Sequence, residues 1–166
     1  MKDRLKTFWK NWRFVIIMFG VTAIVSLFLV LFVRFPRVLG ISMEPTYHEG
    51  DRVLMFNWNN VTYNDVVVLT VADEDYIIKR VVGLPGDELI IRRGGLYRNG
   101  GLVLEPYINE SEWTNELKSD IIYVVPDDCI FVLGDNRNHS RDSRYYGMFD
   151  KSSIIGVVVP DLIFKS

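Results

Sequence analysis

Residues 66–83 read VVVLTVADEDYIIKRVVG, two runs of β-branched side chains divided by a short acidic segment. Each run is too short for a packed helix but has the length and the Val/Ile content typical of a strand. Similar runs, separated by Gly, Pro, Asn and Asp, extend in both directions from residue 52 to residue 159. The dipeptides Pro85-Gly86 and Asn99-Gly100 are turn signals, and the second is typical of a tight hairpin. The sequence therefore predicts a mainly β fold class, an antiparallel β-sheet body with at most a short helix or two.

Residues 88–125 differ in amino-acid composition from the apolar runs on either side of them. They contain the glycine pair Gly94-Gly95 and a polar stretch, NESEWTNE, at 109–116. We expect this segment to form a small inserted subdomain of hairpin and loop, between two parts of a core formed by residues 34–87 and 126–166. The alternative is that it belongs to the same sheet as the core, and the sequence does not distinguish the two.

Ahead of this body lies an uncharged segment of 20 residues at 14–33, FVIIMFGVTAIVSLFLVLFV. At 1.5 Å per residue a helix of that length spans about 30 Å, the hydrocarbon thickness of a bilayer. A buried core helix would have a polar face. A cleavable signal peptide would have a shorter apolar region and a small-x-small site, which the following residues 35–40, FPRVLG, do not offer. We predict an uncleaved N-terminal transmembrane helix.

The charges are divided unevenly between the two parts of the chain. Residues 1–34 hold six Lys or Arg and one acidic residue, whereas the remainder carries a net charge of −7. By the positive-inside rule, the basic residues 1–13 are predicted to be cytoplasmic and the body extracytoplasmic, in a protein that crosses the cell membrane once. The acidic body argues against nucleic acid as a partner, because phosphate binding needs clustered Lys and Arg.

Cysteine content bears on metals and redox chemistry. Cys129 is the only cysteine, so the chain has no intrachain disulfide, and it begins an apolar run that suggests a small buried hydrophobe. The sequence contains no cysteine cluster of the kind that binds metal. We expect neither a metal nor a cofactor.

A serine stands shortly after the apolar span, in the run GISMEPT at 40–46. The hydroxyl of Ser42 would need a base within hydrogen-bond reach to act as a nucleophile. The two histidines of the chain, His48 and His139, lie in polar, loop-like surroundings without an evident orienting partner. A Ser-His-Asp triad can still be assembled from them on paper, because triads are defined by geometry and not by sequence order.

Lys79 is the other candidate base. It lies between β-branched residues, and in a strand its neighbours on the same face are Ile77 and Val81. A lysine held against apolar surface loses hydration, which lowers its pKa and lets the amine accept a proton from serine near neutral pH. The alternative is a half-buried strand lysine whose charged head reaches water.

A polar block, GDNRNHSRDSRYYG, occupies residues 134–147 after an apolar run. It fits an ordinary surface loop, but its density of short hydrogen-bonding side chains also suits a rigid network that positions a charged group. Within it Asp142 and Arg144 can form an ion pair, and the hydroxyl of Ser140 can hold the amine of Lys79.

Three motifs, which follow one another in the sequence, resemble those of a known protein family. They are SMEPT at 42–46 followed by Gly50-Asp51, KRVVGLPGD at 79–87, and the block at 134–147. With the N-terminal span, the chain resembles the bacterial type I signal peptidases, membrane-bound Ser/Lys proteases that remove signal peptides from exported proteins. The short insert and single span are similar to the small Gram-positive form.

The resemblance implies a role for each of six residues. They are Ser42 as nucleophile, Lys79 as general base, Ser140 orienting the lysine, Asp142 and Arg144 bracing the site, and Gly40 with the backbone N–H of Ser42 forming the oxyanion hole. Tyr47 stands where the family commonly has leucine, a departure that we expect to affect local packing only.

The implied partners are preproteins with signal peptides and an Ala-x-Ala type cleavage site, and membrane lipid, with the secretion translocon as an open further partner. Three alternatives differ in function. A self-cleaving Ser/Lys repressor would carry a DNA-binding head in place of residues 14–33. A non-catalytic pilus-assembly chaperone of the same fold would lack the dyad of Ser42 and Lys79. A specialised pilin-processing or conjugative peptidase would keep it.

Overall fold

A computed structural model of the chain describes residues 2–72, 74–92, 94–108 and 121–165. Its contacts divide the chain into two units, Met1–Arg34 and Phe35–Ser166. The helices are α1 (Lys2–Phe32) and α2 (Ser143–Tyr146). The strands are β1 (Val33–Arg34), β2 (Arg52–Phe56), β3 (Val66–Val71), β4 (Glu74–Gly83), β5 (Glu88–Arg92), β6 (Gly95–Arg98), β7 (Gly101–Leu102), β8 (Ile121–Val124), β9 (Cys129–Leu133), β10 (Phe149–Asp150) and β11 (Ile154–Phe164).

The first unit is dominated by α1, which confirms the predicted N-terminal apolar helix. Its segment Trp12–Phe32 is long and apolar enough to cross a bilayer, and none of that stretch is buried within the protein. A bare apolar surface of this length is costly in water and favourable in hydrocarbon. The side chains of residues 1–11, which include most of the basic residues behind the topology prediction, lie outside the described part of the chain.

The second unit contains the larger sheet, whose strands follow the order β2-β11-β3-β4-β9-β10. Every neighbouring pair in this order is antiparallel. The Val- and Ile-rich runs supply the buried positions, as the burial of Val67, Leu69 and Val132 shows. The mainly β, antiparallel fold class is therefore confirmed.

One strand contains two buried charged residues. The apolar runs at 76–78 and 81–82 form a single strand, β4, and the charged Lys79 and Arg80 between them are buried, with 4% and 8% of their surfaces exposed. Charged residues are rarely buried without partners. The partners lie far away in sequence, as described below, so local composition could not reveal how these charges are stabilised.

A smaller antiparallel sheet has the strand order β7-β6-β5-β8. A two-residue turn joins β6 to β7, with positive φ at Asn99 (52°) and Gly100 (81°), the conformation that the Asn-Gly signal predicts. The inner face of this sheet shares one apolar cluster with the larger sheet, through Leu89 on one side and Phe131 on the other. Of the predicted subdomain at 88–125, residues 93 and 109–120 lie outside the described part.

Candidate active site

Ser42 lies in a turn that the protein core holds in place. The turn is closed by hydrogen bonds from the Glu44 N–H to the Ile41 carbonyl (3.2 Å) and from the Tyr47 N–H to the Met43 carbonyl (2.9 Å). The side chains of Met43 and Tyr47 are 1% and 3% exposed and pack in one apolar cluster. Burial of these two side chains fixes the turn that contains Ser42, whose own side chain is half-buried.

Lys79 reaches Ser42 from β4, one of the central strands of the larger sheet. Its Nζ donates to the Ser42 Oγ at 2.7 Å and to the Ile78 carbonyl at 2.9 Å. The residues two positions away on either side, Ile77 and Val81, belong to a buried apolar cluster. The lysine head is therefore not in bulk water, and the snorkelling alternative does not describe this side chain.

Arg80 braces the same strand through a buried ion pair that sequence analysis did not single out. Its Nε and one terminal nitrogen donate to the two carboxylate oxygens of Asp135 at 2.8 and 2.5 Å. Thr46, next to the serine turn, donates its hydroxyl to the same carboxylate at 2.5 Å. Burial alone would lower the pKa of Arg80, but the Asp135 carboxylate outweighs it and the pKa is raised. The ion pair joins β4, the serine turn and the polar block.

Asn136 connects the polar block directly to the backbone at Ser42. Its own N–H donates to the Ser42 carbonyl at 3.1 Å, and its side-chain Nδ2 donates to the Ile41 carbonyl at 3.2 Å. Gly134 also lies close to the Ser42 backbone. A Cβ added at this position would be 2.5 Å from the Ser42 carbonyl oxygen and 2.6 Å from the Ser140 Cβ. Only glycine fits such an approach.

Asp142 and Arg144 pair as the sequence suggested. Arg144 donates through Nε to one carboxylate oxygen of Asp142 and through a terminal nitrogen to the other, both at 2.8 Å. The Gly134 N–H donates to the same carboxylate at 3.0 Å. Burial of the fully enclosed Asp142 raises its pKa, but the bonds and charge of Arg144 and the Gly134 amide outweigh burial and lower it. The carboxylate therefore stays ionised and holds the block rigid.

Ser140 differs from the expectation. Its hydroxyl is buried and has no hydrogen-bond partner within the described residues, so the direct bond to the Lys79 amine is not formed. The side chain instead packs against Gly134, which in turn lies against the Ser42 carbonyl. Support of the lysine by Ser140 stays a prediction.

Two further residues, Glu105 and Tyr107, contact the site and were not identified by the sequence analysis. Glu105, whose side chain is 3% exposed, forms a buried ion pair with Arg137 at 2.5 Å. Arg137 also donates its Nε to the Gly134 carbonyl at 2.9 Å. Tyr107 donates its hydroxyl to Glu105 at 2.9 Å, and the guanidinium of Arg80 lies 3.9 Å from the centroid of the Tyr107 ring. The only sequence signal was indirect: two arginines in buried motifs require acidic or aromatic partners somewhere in the chain.

The histidines occupy different places. His48 is exposed, and its Nδ1 lies 4.0 Å from the Asp51 carboxylate. His139 lies 3.1 Å through its Nδ1 from the Asn136 side-chain oxygen and lines the cleft described next. Within the described residues the Ser42 hydroxyl is hydrogen-bonded to Lys79 and to neither histidine, so the Ser-His-Asp alternative has no geometric support.

A cleft of about 200 Å³ opens above Ser42 and Lys79. Its lining residues are Leu39, Gly40, Ile41, Ser42, Tyr76, Ile77, Ile78, Lys79, His139 and Arg141. Gly40 has φ +71°, a left-handed conformation that favours glycine, and it leads into the serine turn. Within the described part of the chain the Ser42 N–H has no hydrogen-bond acceptor. Among the same residues, no group of three or more His, Cys, Asp or Glu is placed to hold a metal ion.

Comparison with known proteins places this architecture in a family. The family model described as "Signal peptidase, peptidase S26" matches residues 9–162, nearly the whole chain. The chain belongs to the peptidase S26 family. Signal peptidase I V of Bacillus subtilis is 34% identical over 136 residues, covering 74% of this chain and 81% of its own length. Signal peptidase IB of Staphylococcus aureus is 34% identical over 158 residues, covering 82% of each.

A solved relative supports the S26 fold independently. The crystal structure of a signal peptidase I from Enterococcus faecalis aligns with a TM-score of 0.53 and 29% sequence identity. It covers 60% of this chain and 97% of the solved chain. The resemblance noted from the three sequence motifs is therefore confirmed at the level of the family.

Proposed function

We propose that this chain is a membrane-anchored serine endopeptidase that removes signal peptides from preproteins, with Ser42 as nucleophile and Lys79 as general base. The observation that carries the proposal is the 2.7 Å contact between the Lys79 Nζ and the Ser42 Oγ, made by a lysine with 4% exposure. The family assignment supports cleavage of signal peptides. A non-catalytic chaperone of the same fold would not need this contact.

The chemistry begins with proton transfer. Burial against apolar side chains disfavours the ammonium form of lysine, so the amine can accept the Ser42 proton. The serine oxygen attacks the substrate carbonyl, and the negative charge that forms on the carbonyl oxygen accepts a hydrogen bond from the Ser42 N–H, which has no acceptor of its own in the described residues. In this proposal Gly40 sets the backbone conformation that leads into the oxyanion hole.

The remaining steps return the protein to its starting state. The Lys79 ammonium gives its proton to the leaving amine as the peptide bond breaks, and an acyl-enzyme remains on Ser42. Lys79 then takes a proton from water, whose oxygen attacks the ester carbonyl. As the ester bond breaks, Lys79 returns this proton to the Ser42 oxygen, and the signal peptide leaves with a free carboxylate. Asp142, Arg144 and Ser140 act in this proposal by holding the backbone around Ser42 and Lys79, and not by contact with substrate.

Substrate class and location follow from the cleft and from α1. The apolar residues that line the cleft, such as Ile41 and Ile77, suit small apolar substrate side chains before the cut, as in an Ala-x-Ala site. The helix segment Trp12–Phe32 would anchor the protein in the cell membrane, with residues 1–13 cytoplasmic and the body extracytoplasmic. Tethering raises the local concentration of the peptidase near preproteins held in the same bilayer. Membrane lipid is then a partner, and contact with the translocon is an open extension.

We also propose that residues 34–87 and 126–166 form the catalytic core, with 88–125 as an inserted subdomain. The separate strand order of the smaller sheet supports this division. The ion pair between Glu105 and Arg137 would then connect the insert to the polar block.

The test uses the full chain in detergent with a model preprotein that contains an Ala-x-Ala site. Ser42→Ala and Lys79→Ala are expected to abolish cleavage while circular dichroism stays unchanged. The matched controls, Ser152→Ala and Lys151→Ala, change an adjacent Ser/Lys pair outside the residues that line the cleft and should retain activity. Mass spectrometry locates the cut. Cleavage after the Ala-x-Ala motif supports the proposal, and undiminished cleavage by either dyad variant contradicts it.

A further inference from the structure

The charge of the cleft is opposite to the charge of the body that contains it. The chain beyond residue 34 has a net charge of −7, yet among the described residues the titratable side chains that line the cleft are Lys79, Tyr76, His139 and Arg141, with no Asp or Glu. Lys79 is buried and bonded to the nucleophile. The exposed basic side chains at the opening are therefore those of His139 and Arg141.

Two acidic side chains of the neighbouring polar block form ion pairs with other arginines. Asp135 is held by Arg80, and Asp142, the residue next to Arg141 in sequence, is held by Arg144. Both carboxylates are buried, with 2% and 0% of their surfaces exposed. Their charges are thus neutralised inside the protein and do not cancel the charge of Arg141.

Arg141 itself is exposed and is positioned by an aromatic ring. Its guanidinium lies 5.4 Å from the centroid of the Tyr145 ring, which is also exposed. A cation over a ring face at this distance is attracted to it but keeps its hydrogen-bond donors available. Within the part of the chain that the structure describes, Arg141 makes no ion pair.

We infer that Arg141 is a specificity-determining residue that favours substrates with an acidic side chain next to the scissile bond. The inference rests on the proposed function. Apolar lining residues such as Leu39 and Ile77 suit the small substrate residues before the cut. The edge of the cleft formed by Arg141 is then available to contact the other substrate residues near the scissile bond. A carboxylate there gains a charge-assisted bond to a guanidinium that has no acidic partner among the described residues.

The experiment measures kcat/KM of the detergent-solubilised full chain on peptides that differ in one residue. Glu, Gln or Lys is placed in turn at the residue between the two alanines and at the first and second residues after the cut. The wild-type protein should prefer Glu over Gln by about two- to five-fold at one of these positions, the range of an exposed ion pair. Arg141→Gln should remove that preference, and Arg141→Glu should transfer it to Lys.

A matched control and a salt series separate local contact from general charge. Arg92 is an exposed arginine whose guanidinium lies 4.7 Å from the centroid of the Tyr97 ring, away from the cleft lining. Arg92→Gln changes the net charge equally and should keep the wild-type preference. Raising the ionic strength to about 1 M, where the Debye length is about 3 Å, should weaken the preference.

The outcomes distinguish the inference from the proposed function. Equal cleavage of Glu and Gln peptides at all three positions overturns the inference, and so does a preference that survives in Arg141→Gln. An equal loss of preference in Arg92→Gln also overturns it, because long-range charge would then be the cause. Failure of the wild-type protein to cleave any peptide after the Ala-x-Ala motif would instead overturn the proposed function.

Discussion

The amine of Lys79 and the hydroxyl of Ser42 are 2.7 Å apart, although 37 positions separate them in the sequence. The lysine belongs to a strand of the larger sheet, whereas the serine belongs to a turn held by Met43 and Tyr47 in the core. Their contact is therefore a product of how the sheet and the turn pack. A contact of this length inside a buried environment is short enough for direct proton transfer.

The first prediction concerns the protonation of Lys79. Its burial and its apolar neighbours disfavour the ammonium form, so kcat/KM should rise with pH along a limb that lies well below the pH at which free lysine titrates. Lys79→Arg should lower kcat by at least about 100-fold, because a guanidinium does not give up its proton and cannot serve as a base. A pH–rate profile of the wild-type protein and single-turnover rates of the variant check both expectations. An acidic limb at the position of free lysine would contradict the desolvation effect.

The second prediction concerns the close approach at Gly134. Gly134→Ala places a Cβ 2.5 Å from the Ser42 carbonyl oxygen and 2.6 Å from the Ser140 Cβ. The serine turn must shift, and a displacement of about 1 Å at a catalytic group can cost about 100-fold in rate. Gly101→Ala is the control, because its Cβ would meet only the Arg98 carbonyl oxygen at an ordinary 3.6 Å. Kinetics with a preprotein substrate compare the two, and equal activity would show that the turn absorbs the methyl group without moving Ser42.

The third prediction concerns the buried ion pair of Arg80 and Asp135, whose side chains are 9% and 0% exposed. Asp135→Ala leaves the guanidinium of Arg80 buried without its carboxylate, which should lower the free energy of unfolding by about 3–5 kcal/mol. Asp127→Ala removes an exposed carboxylate and should change it little. Thermal unfolding followed by circular dichroism measures the difference. Equal unfolding midpoints for the two variants would mean that Arg80 finds another partner.

The fourth prediction follows from the lowered pKa of Asp142. A carboxyl group with a depressed folded-state pKa contributes stability that is fully present above its ordinary value of 3.8 and is lost as the pH falls through the folded-state value. Arg144→Gln removes the charge-assisted bonds and should cost about 1.5–3 kcal/mol at neutral pH.

Unfolding measurements between pH 7 and pH 3 test this linkage. The stability difference between the wild-type protein and Arg144→Gln should shrink below about pH 4, because protonation of Asp142 weakens the same bonds in the wild type. A difference that stays constant across this range would show that Arg144 stabilises the protein by packing and not through the Asp142 charge.

Several features were accessible from local sequence because their causes are local. Short runs of β-branched side chains predicted strands, and the Asn99-Gly100 pair predicted a two-residue hairpin turn, which the structure shows with positive φ. The charge-free segment at 14–33 predicted an apolar helix. Three motifs in order were enough to indicate the peptidase family.

Other features were not accessible because they depend on distant partners. The sequence placed Lys79 in a strand, but it did not show that Ser42 and Asp135 are the partners of Lys79 and Arg80. The Ser140 hydroxyl has the right chemistry for a bond to the lysine, yet it packs against Gly134 instead.

Hydrophobic patterning and turn chemistry act over a few residues, so the sequence by itself determined the mainly β body and the apolar N-terminal helix, and its motifs indicated the candidate site residues. Pairing between remote groups was decided only by the tertiary structure, because a buried charge is stable only where a specific partner is brought within about 3 Å. In the folded protein Glu105 therefore pairs with Arg137, and the Lys79 amine contacts the Ser42 hydroxyl. It also left the guanidinium of Arg141 exposed at the opening of the cleft.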